Sequence, residues 1–205
     1  MTPEVTAIIL AGGRASRFGS DKLAVEIDGA TVLDRAITAV SGLADDVVVV
    51  GSAETTLAVR GIDDPEPFGG PLQALAGGLA AAGSSVAIVV AGDMPALVPS
   101  VLALLITDLA SKQDVDAVVL ADPRDPGRRQ PLPLAVRVEP ARTAAAAALT
   151  AGDRSLVRLL GRLRVAEVAS DRWLAVDPEA RTLVDIDLPE DLRRARDVAR
   201  DQRNR

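Results

Sequence analysis

Residues 4–23 read EVTAIILAGGRASRFGSDKL. An apolar run from Ala7 to Leu10 stops at Ala11 and the pair Gly12-Gly13. Arg14 and Arg17 follow, then Gly19 and Asp21-Lys22. A strand that ends in two glycines suits a backbone that turns sharply and approaches another group closely. The cations after it indicate an anionic group, and phosphate suits both backbone N–H groups and Arg or Lys side chains. A plain surface turn, in which the glycines serve geometry alone, has the same residue types. The spacing excludes two familiar phosphate loops. Arg14 stands where GxGxxG needs its second glycine, and Ser20-Asp21 separates Gly19 from Lys22, which a Walker A loop does not allow.

Outward from this stretch, residues 31–41 place Val32, Leu33, Ala36, Ile37 and Val40 on one helical face. Thr31 is the expected N-cap, with Asp34 in the first turn as a partial capping box. Asp46 and four valines then form a buried strand of the parallel-sheet kind, ending at Gly51. Strand, loop, helix and strand make a βαβ unit whose ligand end is the glycine loop. A weak strand over 57–62 leads to Asp63 and Asp64. Gly69-Gly70-Pro71-Leu72 enters an alanine-rich helix over 72–82, with Pro71 fixing its start. On physics alone this is a helix-entry turn.

Residues 85–91, SVAIVVA, are the most convincing strand, and Asp93 lies just past its end in Gly-Asp-Met-Pro. That is where α/β sheets take ligands, although the same aspartate could cap a turn. A helix from Val98 through Leu109 and a strand over 116–121 follow. After the turn-rich stretch 121–130, residues 131–138 read as a strand whose two prolines predict an edge or irregular place. Helices over 142–150 and 156–163 meet at Gly152-Asp153-Arg154-Ser155, with an N-cap at the turn. A last strand over 182–186 runs into Asp187 and Glu190, a capping box for a C-terminal helix from Leu188 to about Ala199. Trp173 reads as a packing residue. The alternation predicts one domain over 1–205: a three-layer α/β/α sandwich with a mainly parallel, Rossmann-like sheet.

Composition narrows the chemistry. The chain of 205 residues has no cysteine, histidine or tyrosine. This excludes disulfides, thiolate sites, histidine-ligated zinc and Ser-His-Asp hydrolysis. Carboxylates, Lys, Arg, backbone amides and a hard metal ion remain, which fits magnesium-assisted chemistry on phosphates. A net charge of -6 argues against nucleic-acid binding. No apolar stretch is long enough for a membrane span, and the N-terminus lacks the pattern of a secretory signal, so a cytoplasmic protein is expected.

LAGGRASRFGSDKL resembles the signature loop of the MobA-like nucleotidyltransferases, LAGG-x-x-x-R-x-G-x-x-K, and is most similar to that of the molybdenum cofactor guanylyltransferases among them. The resemblance implies the nucleotide-diphospho-sugar transferase type of sheet. It also implies transfer of GMP from GTP to molybdopterin-bound molybdenum, with Mg2+ and release of pyrophosphate. Leu10, Ala11, Gly12, Gly13 and Arg14 would meet the nucleotide. Lys22 and Arg17 would contact phosphates, Asp64 would be the acidic residue before the base segment, and Gly70, Pro71 and Leu72 would lie beside the base. Asp93, in the family's D-x-P motif, would bind the metal together with Asp185 and Asp187. Arg128, Arg129, Gln130, Arg154 and Ser155 would face the acceptor. A cofactor-delivery protein or a molybdoenzyme would be the protein partner. The family usually carries N-x-N where this chain has Asp185 and Asp187, and D-x-D looks more like related cytidylyltransferases. Transfer from CTP, sugar-phosphate nucleotidyl transfer and a non-catalytic nucleotide-binding module are the alternatives.

Overall fold

The computed structural model describes residues 4–12, 22–51, 54–66, 69–125, 127, 129–186 and 191. In chain order the strands are β1 (Val5–Leu10), β2 (Glu26–Ile27), β3 (Ala30–Thr31), β4 (Asp46–Val50), β5 (Arg60–Ile62), β6 (Val86–Ala91), β7 (Ala117–Ala121), β8 (Arg129–Arg137) and β9 (Val165–Val168). The helices are α1 (Val32–Ser41), α2 (Pro71–Ala81), α3 (Pro99–Ser111), α4 (Val138–Thr150), α5 (Leu156–Leu160) and α6 (Ser170–Leu174). Seven strands form one sheet in the order β5-β4-β1-β6-β8-β7-β9, and β2 and β3 form a small hairpin. β1 pairs in parallel with β4 and β6, β4 with β5, and β7 with β9. Among the described strands of this sheet, β8 alone runs antiparallel to its neighbours, β6 and β7.

The pleat sorts side chains to two cores. Ala7 and Ile9 of β1 face one core with α1 and α3, while Ile8 and Leu10 face the other with α2, α4 and α5. Every residue of β1 is buried, as a strand covered by helices on both faces must be. Each fully buried Val, Leu or Ile contributes roughly 1.5–3 kcal/mol. With so few aromatic residues in the chain, many such aliphatic contacts hold the two cores. The expected three-layer α/β/α sandwich is therefore present.

Local expectations hold at several points. Thr31 caps α1, its hydroxyl oxygen accepting the Asp34 N–H at 3.0 Å. Pro71 opens α2. Trp173 is fully buried and donates its indole N–H to the Ala121 carbonyl at 3.1 Å. Other expectations need correction. The strand over 57–62 shrinks to Arg60–Ile62, the helix after 142 begins earlier, at Val138, and the one after 156 stops at Leu160.

Of the two places expected for the proline-bearing strand β8, the irregular one holds and the edge does not. Its ladder with β6 covers Leu134 to Arg137, and its register with β7 jumps from Leu134 to Gln130. Pro131 and Pro133 sit in that jump, where no ladder N–H is required. The last expected strand is absent. Arg181–Leu183 forms a short 3-10 turn: the carboxylate of Asp177 takes the N–H groups of Arg181 and Thr182, and Leu183 and Val184 donate to the carbonyls of Ala180 and Arg181. The proposed C-terminal helix lies outside the described residues. Among those described, no helix is long and apolar enough to cross a membrane.

Three carboxylates brace the scaffold. Asp116 receives a two-pronged Arg164 guanidinium at 2.6 and 2.9 Å, which holds its carboxyl below the usual carboxylate range. Burial pushes Asp108 upward, but Lys112 and Arg172 outweigh it and lower its pKa. Burial likewise raises Asp34, and the hydroxyls of Thr55, Thr31 and Thr56 more than reverse it. A lowered folded-state pKa means that these groups stabilise the fold above their unfolded value near 3.8, and that this is lost as pH falls through the folded values. The melting temperature should therefore be insensitive to these groups near neutrality and fall below about pH 4. Asp116→Asn should flatten part of that fall, as thermal unfolding across pH would measure.

Candidate functional site

β1, β4 and β6 are parallel, so their carboxyl ends lie along one sheet edge. That edge carries Leu10 to Gly12, Gly51 and the Gly92-Asp93 turn. The ends are tied together by the main chain. Ala11 N–H donates to Val50 at 2.8 Å, Gly92 N–H to Leu10 at 2.9 Å, and Gly51 N–H to Ile62 at 2.9 Å. Gly51 was not singled out in the sequence, yet it is what lets the two loops close. Its φ is +128°, and a side chain there would meet the Ala11 carbonyl carbon and the Gly12 nitrogen at 2.8 Å. Its signal was the glycine that abruptly ends a run of valines.

Asp64 comes to this edge as well, its Oδ2 lying 3.0 Å from where a Cβ on Gly12 would sit. The opening loop and the residue predicted from the 63–65 turn are thus neighbours. Gly13, Arg14 and Arg17 lie outside the described residues, as do Arg128 and Asp187.

Lys22 enters a short 3-10 turn, Lys22–Ala24, and aims its ammonium at the end of β6. Its Nζ donates to Asp93 Oδ2 at 2.6 Å and to the Ile186 carbonyl at 3.0 Å. Ile186 in turn donates its N–H to the Asp93 carbonyl at 3.0 Å. Three segments far apart in sequence therefore meet around one cation. The side chains of Lys22 and Asp93 are 23% and 20% exposed, so the pair is reachable by a ligand yet partly desolvated. Asp185 is the exposed neighbour of the fully buried Ile186. The part played by Ile186 is a backbone one, and no residue-type signal reveals it.

This donor set of one carboxylate, one carbonyl and a nearby exposed carboxylate consists of hard oxygens. Among the described residues no group of three or more Asp, Glu, His or Cys could hold a metal unaided. Such a sparse set fits an ion that keeps waters and takes its other oxygens from phosphates, as Mg2+ does.

The segment Gly70-Pro71-Leu72 meets the turn Asp153-Arg154-Ser155. Gly70 has a φ of +91° and caps α2, and the Leu72 N–H donates to the Arg154 carbonyl at 3.3 Å. The Arg154 guanidinium lies 3.9 Å from Glu66. Residues assigned separately to the base and to the acceptor are thus adjacent. Ser155 caps α5, its Oγ accepting the Val157 N–H. Arg129 and Gln130 open β8 at the same sheet edge. Arg129 is paired with Glu167 at 2.8 Å, and Gln130 donates to the mostly buried Asp122 at 2.7 Å.

Known proteins are similar to this chain in sequence and in fold. The chain is 34% identical over 196 residues to a probable molybdenum cofactor guanylyltransferase of Chloroflexus aggregans, covering 92% of each chain. It is 32% identical to a molybdenum cofactor guanylyltransferase of Desulfosudis oleivorans over 93% of this chain and 94% of that one. The fold is similar to that of molybdopterin-guanine dinucleotide biosynthesis protein A from Archaeoglobus fulgidus, with a TM-score of 0.79 at 23% identity, covering 96% of this chain and 99% of that one. A family model described as the MobA-like NTP transferase domain matches residues 7–168. The relatives are nucleotidyltransferases by name, and the chain belongs to the MobA-like NTP transferase family.

Proposed function

We propose that this chain is a molybdenum cofactor guanylyltransferase, transferring GMP from GTP to a phosphate of molybdenum-bearing molybdopterin and releasing pyrophosphate. The observation that carries the reading is the meeting of Lys22, Asp93 and Ile186 at the sheet edge where Gly12 faces Asp64. Relatives bearing that activity in their names support it.

In this reading the backbone from Leu10 to Gly13 holds the triphosphate, with Arg14 and Arg17 beside it. Gly70, Pro71 and Leu72 lie against the guanine. Asp93, with Asp185 or Asp187, would hold Mg2+, which when bound would neutralise charge on the nucleotide. Lys22 turns from Asp93 toward the β- and γ-phosphates and offsets charge as pyrophosphate departs. Arg128, Arg129, Gln130, Arg154 and Ser155 line the acceptor side. An ionised oxygen of the acceptor phosphate attacks the α-phosphorus in line. A new P–O bond forms, the α–β bridging bond breaks, and its electron pair leaves with pyrophosphate. The attacking oxygen carries no proton, so a chain without histidine needs no general base. The protein contributes alignment and charge stabilisation.

Pyrophosphate release by the purified chain with Mg2+ and molybdenum-loaded molybdopterin tests this. GTP should support release and CTP should not. Release from CTP alone would overturn the assignment of the base. Tight nucleotide binding with no release from either would make the chain a binding module.

A further inference from the structure

We propose that Thr182 is a positioning residue for the Asp93 loop. The proposal rests on the functional reading above and deepens it. Asp177 is a fully buried carboxylate with no place in the transfer chemistry. Its Oδ2 accepts the Thr182 N–H at 2.8 Å and its Oδ1 the Arg181 N–H at 3.1 Å. The turn is closed by Ala180, whose φ is +52° and whose N–H donates to the Asp177 carbonyl at 2.9 Å. This holds the Thr182 side chain in one place.

Thr182 is itself fully buried, and its hydroxyl oxygen accepts the Val98 N–H at 3.2 Å, across 84 residues of sequence. Val98 is the residue before α3, and its carbonyl takes the N–H groups of Val101 and Leu102. The loop from Asp93 to Val98 is therefore fixed at its far end by Thr182 and at its near end by the Ile186 N–H on the Asp93 carbonyl. Midway, the Pro95 carbonyl accepts from Arg35 at 3.2 Å.

Segments 93–98 and 182–186 thus run antiparallel and are joined at both ends. Lys22 closes onto both of them, at Asp93 Oδ2 and the Ile186 carbonyl. The spacing between the Asp93 carboxylate and the Ile186 carbonyl is set by this clamp. Releasing Thr182 from Val98 lets one segment shift against the other. The part-buried Val98 N–H would lose its acceptor without any change in the groups that touch substrate.

Thr182→Val keeps the volume and removes the acceptor, whereas Thr182→Ser keeps the oxygen. In T182V we expect kcat to fall about tenfold or more, since small misplacements carry large rate costs. The Mg2+ concentration for half-maximal rate should rise, and KM for GTP should stay within about twofold of wild type, because the loop before α3 does not hold the base. Hydrogen exchange over 93–98 should quicken. T182S should restore the rate and the Mg2+ dependence. Wild-type kcat and Mg2+ dependence in T182V would overturn the proposal, as would equal losses in T182V and T182S that track melting temperature. If T182V does not fold, Val98→Pro removes the donor of the same bond, and wild-type kinetics in that variant would overturn the proposal equally. A wild-type chain that releases no pyrophosphate would refute the functional reading instead, and hydrogen exchange would still report on the clamp.

Discussion

Replacing Asp93 with asparagine is expected to lower kcat by about 10²–10³-fold, as the loss of one well-placed charged group in a transition-state site does. Asn keeps the shape and loses the negative charge, so the proposed metal site would lose a carboxylate and Lys22 would lose the anionic partner it has at 2.6 Å. The fold should survive. The pair is partly exposed, and its removal should cost about 1 kcal/mol, within reach of a protein of this size. The measurement is turnover against Mg2+ concentration, paired with a thermal melt. A wild-type rate at saturating Mg2+ would remove Asp93 from the site. A collapsed melting temperature would make it a structural residue.

Gly51→Ala should have the largest effect on the fold. The new methyl would stand 2.8 Å from backbone atoms of Ala11 and Gly12, and the φ of +128° is one that alanine rarely adopts. Backbone strain of about 1–3 kcal/mol and overpacking of about 1–3 kcal/mol add to roughly 2–6 kcal/mol. For a domain near 200 residues this lowers the melting temperature by about 5–20 °C. Relief of the clash would push the loop after β1 outward, so GTP affinity should fall as well. Gly83→Ala is the control, since nothing lies within 4 Å of a Cβ there and the residue is not in the positive-φ region. Equal melting temperatures for the two variants would refute the account of Gly51.

The sequence displayed its elements wherever one physical signal dominated. Four valines bounded by Asp46 and Gly51 could only be a buried strand, and Thr31 three residues before Asp34 marked a helix start that the hydrogen bond bears out. The place of Asp93 just past an apolar strand was readable because the carboxyl edge of parallel strands is defined by topology. Other features lacked such a signal. For β8 the prolines left an edge and an irregular place equally open, because proline reports only on a missing N–H, and the structure takes the irregular one, a register jump in the middle of the sheet. The strand over 182–186 was misread because its N–H groups are taken elsewhere: Thr182 by the Asp177 carboxylate, Leu183 and Val184 by the turn itself, and Ile186 by the Asp93 carbonyl. The roles of Ile186 and Val98 run through main-chain atoms, which every residue type carries alike. The neighbourhood of Arg154 and Gly70 depends on how α2 and α5 pack, which no local pattern encodes.

The inverted strand at the sheet's middle also governs the order in which the protein can be completed. β6, which delivers Asp93, has β1 on one flank and β8 on the other, and within the described sheet β7 pairs with β8 and β9. As the chain emerges from the ribosome, β6 is made more than a strand's length before its second neighbour. Until residues 129–137 arrive, its far flank exposes unpaired peptide groups and β7 has no sheet to join. Late insertion of β8 therefore converts two separate pieces into one sheet. A ribosome-stalled chain ending before Arg129 should be protease-sensitive in its second half, while one extended past Arg137 gains protection there.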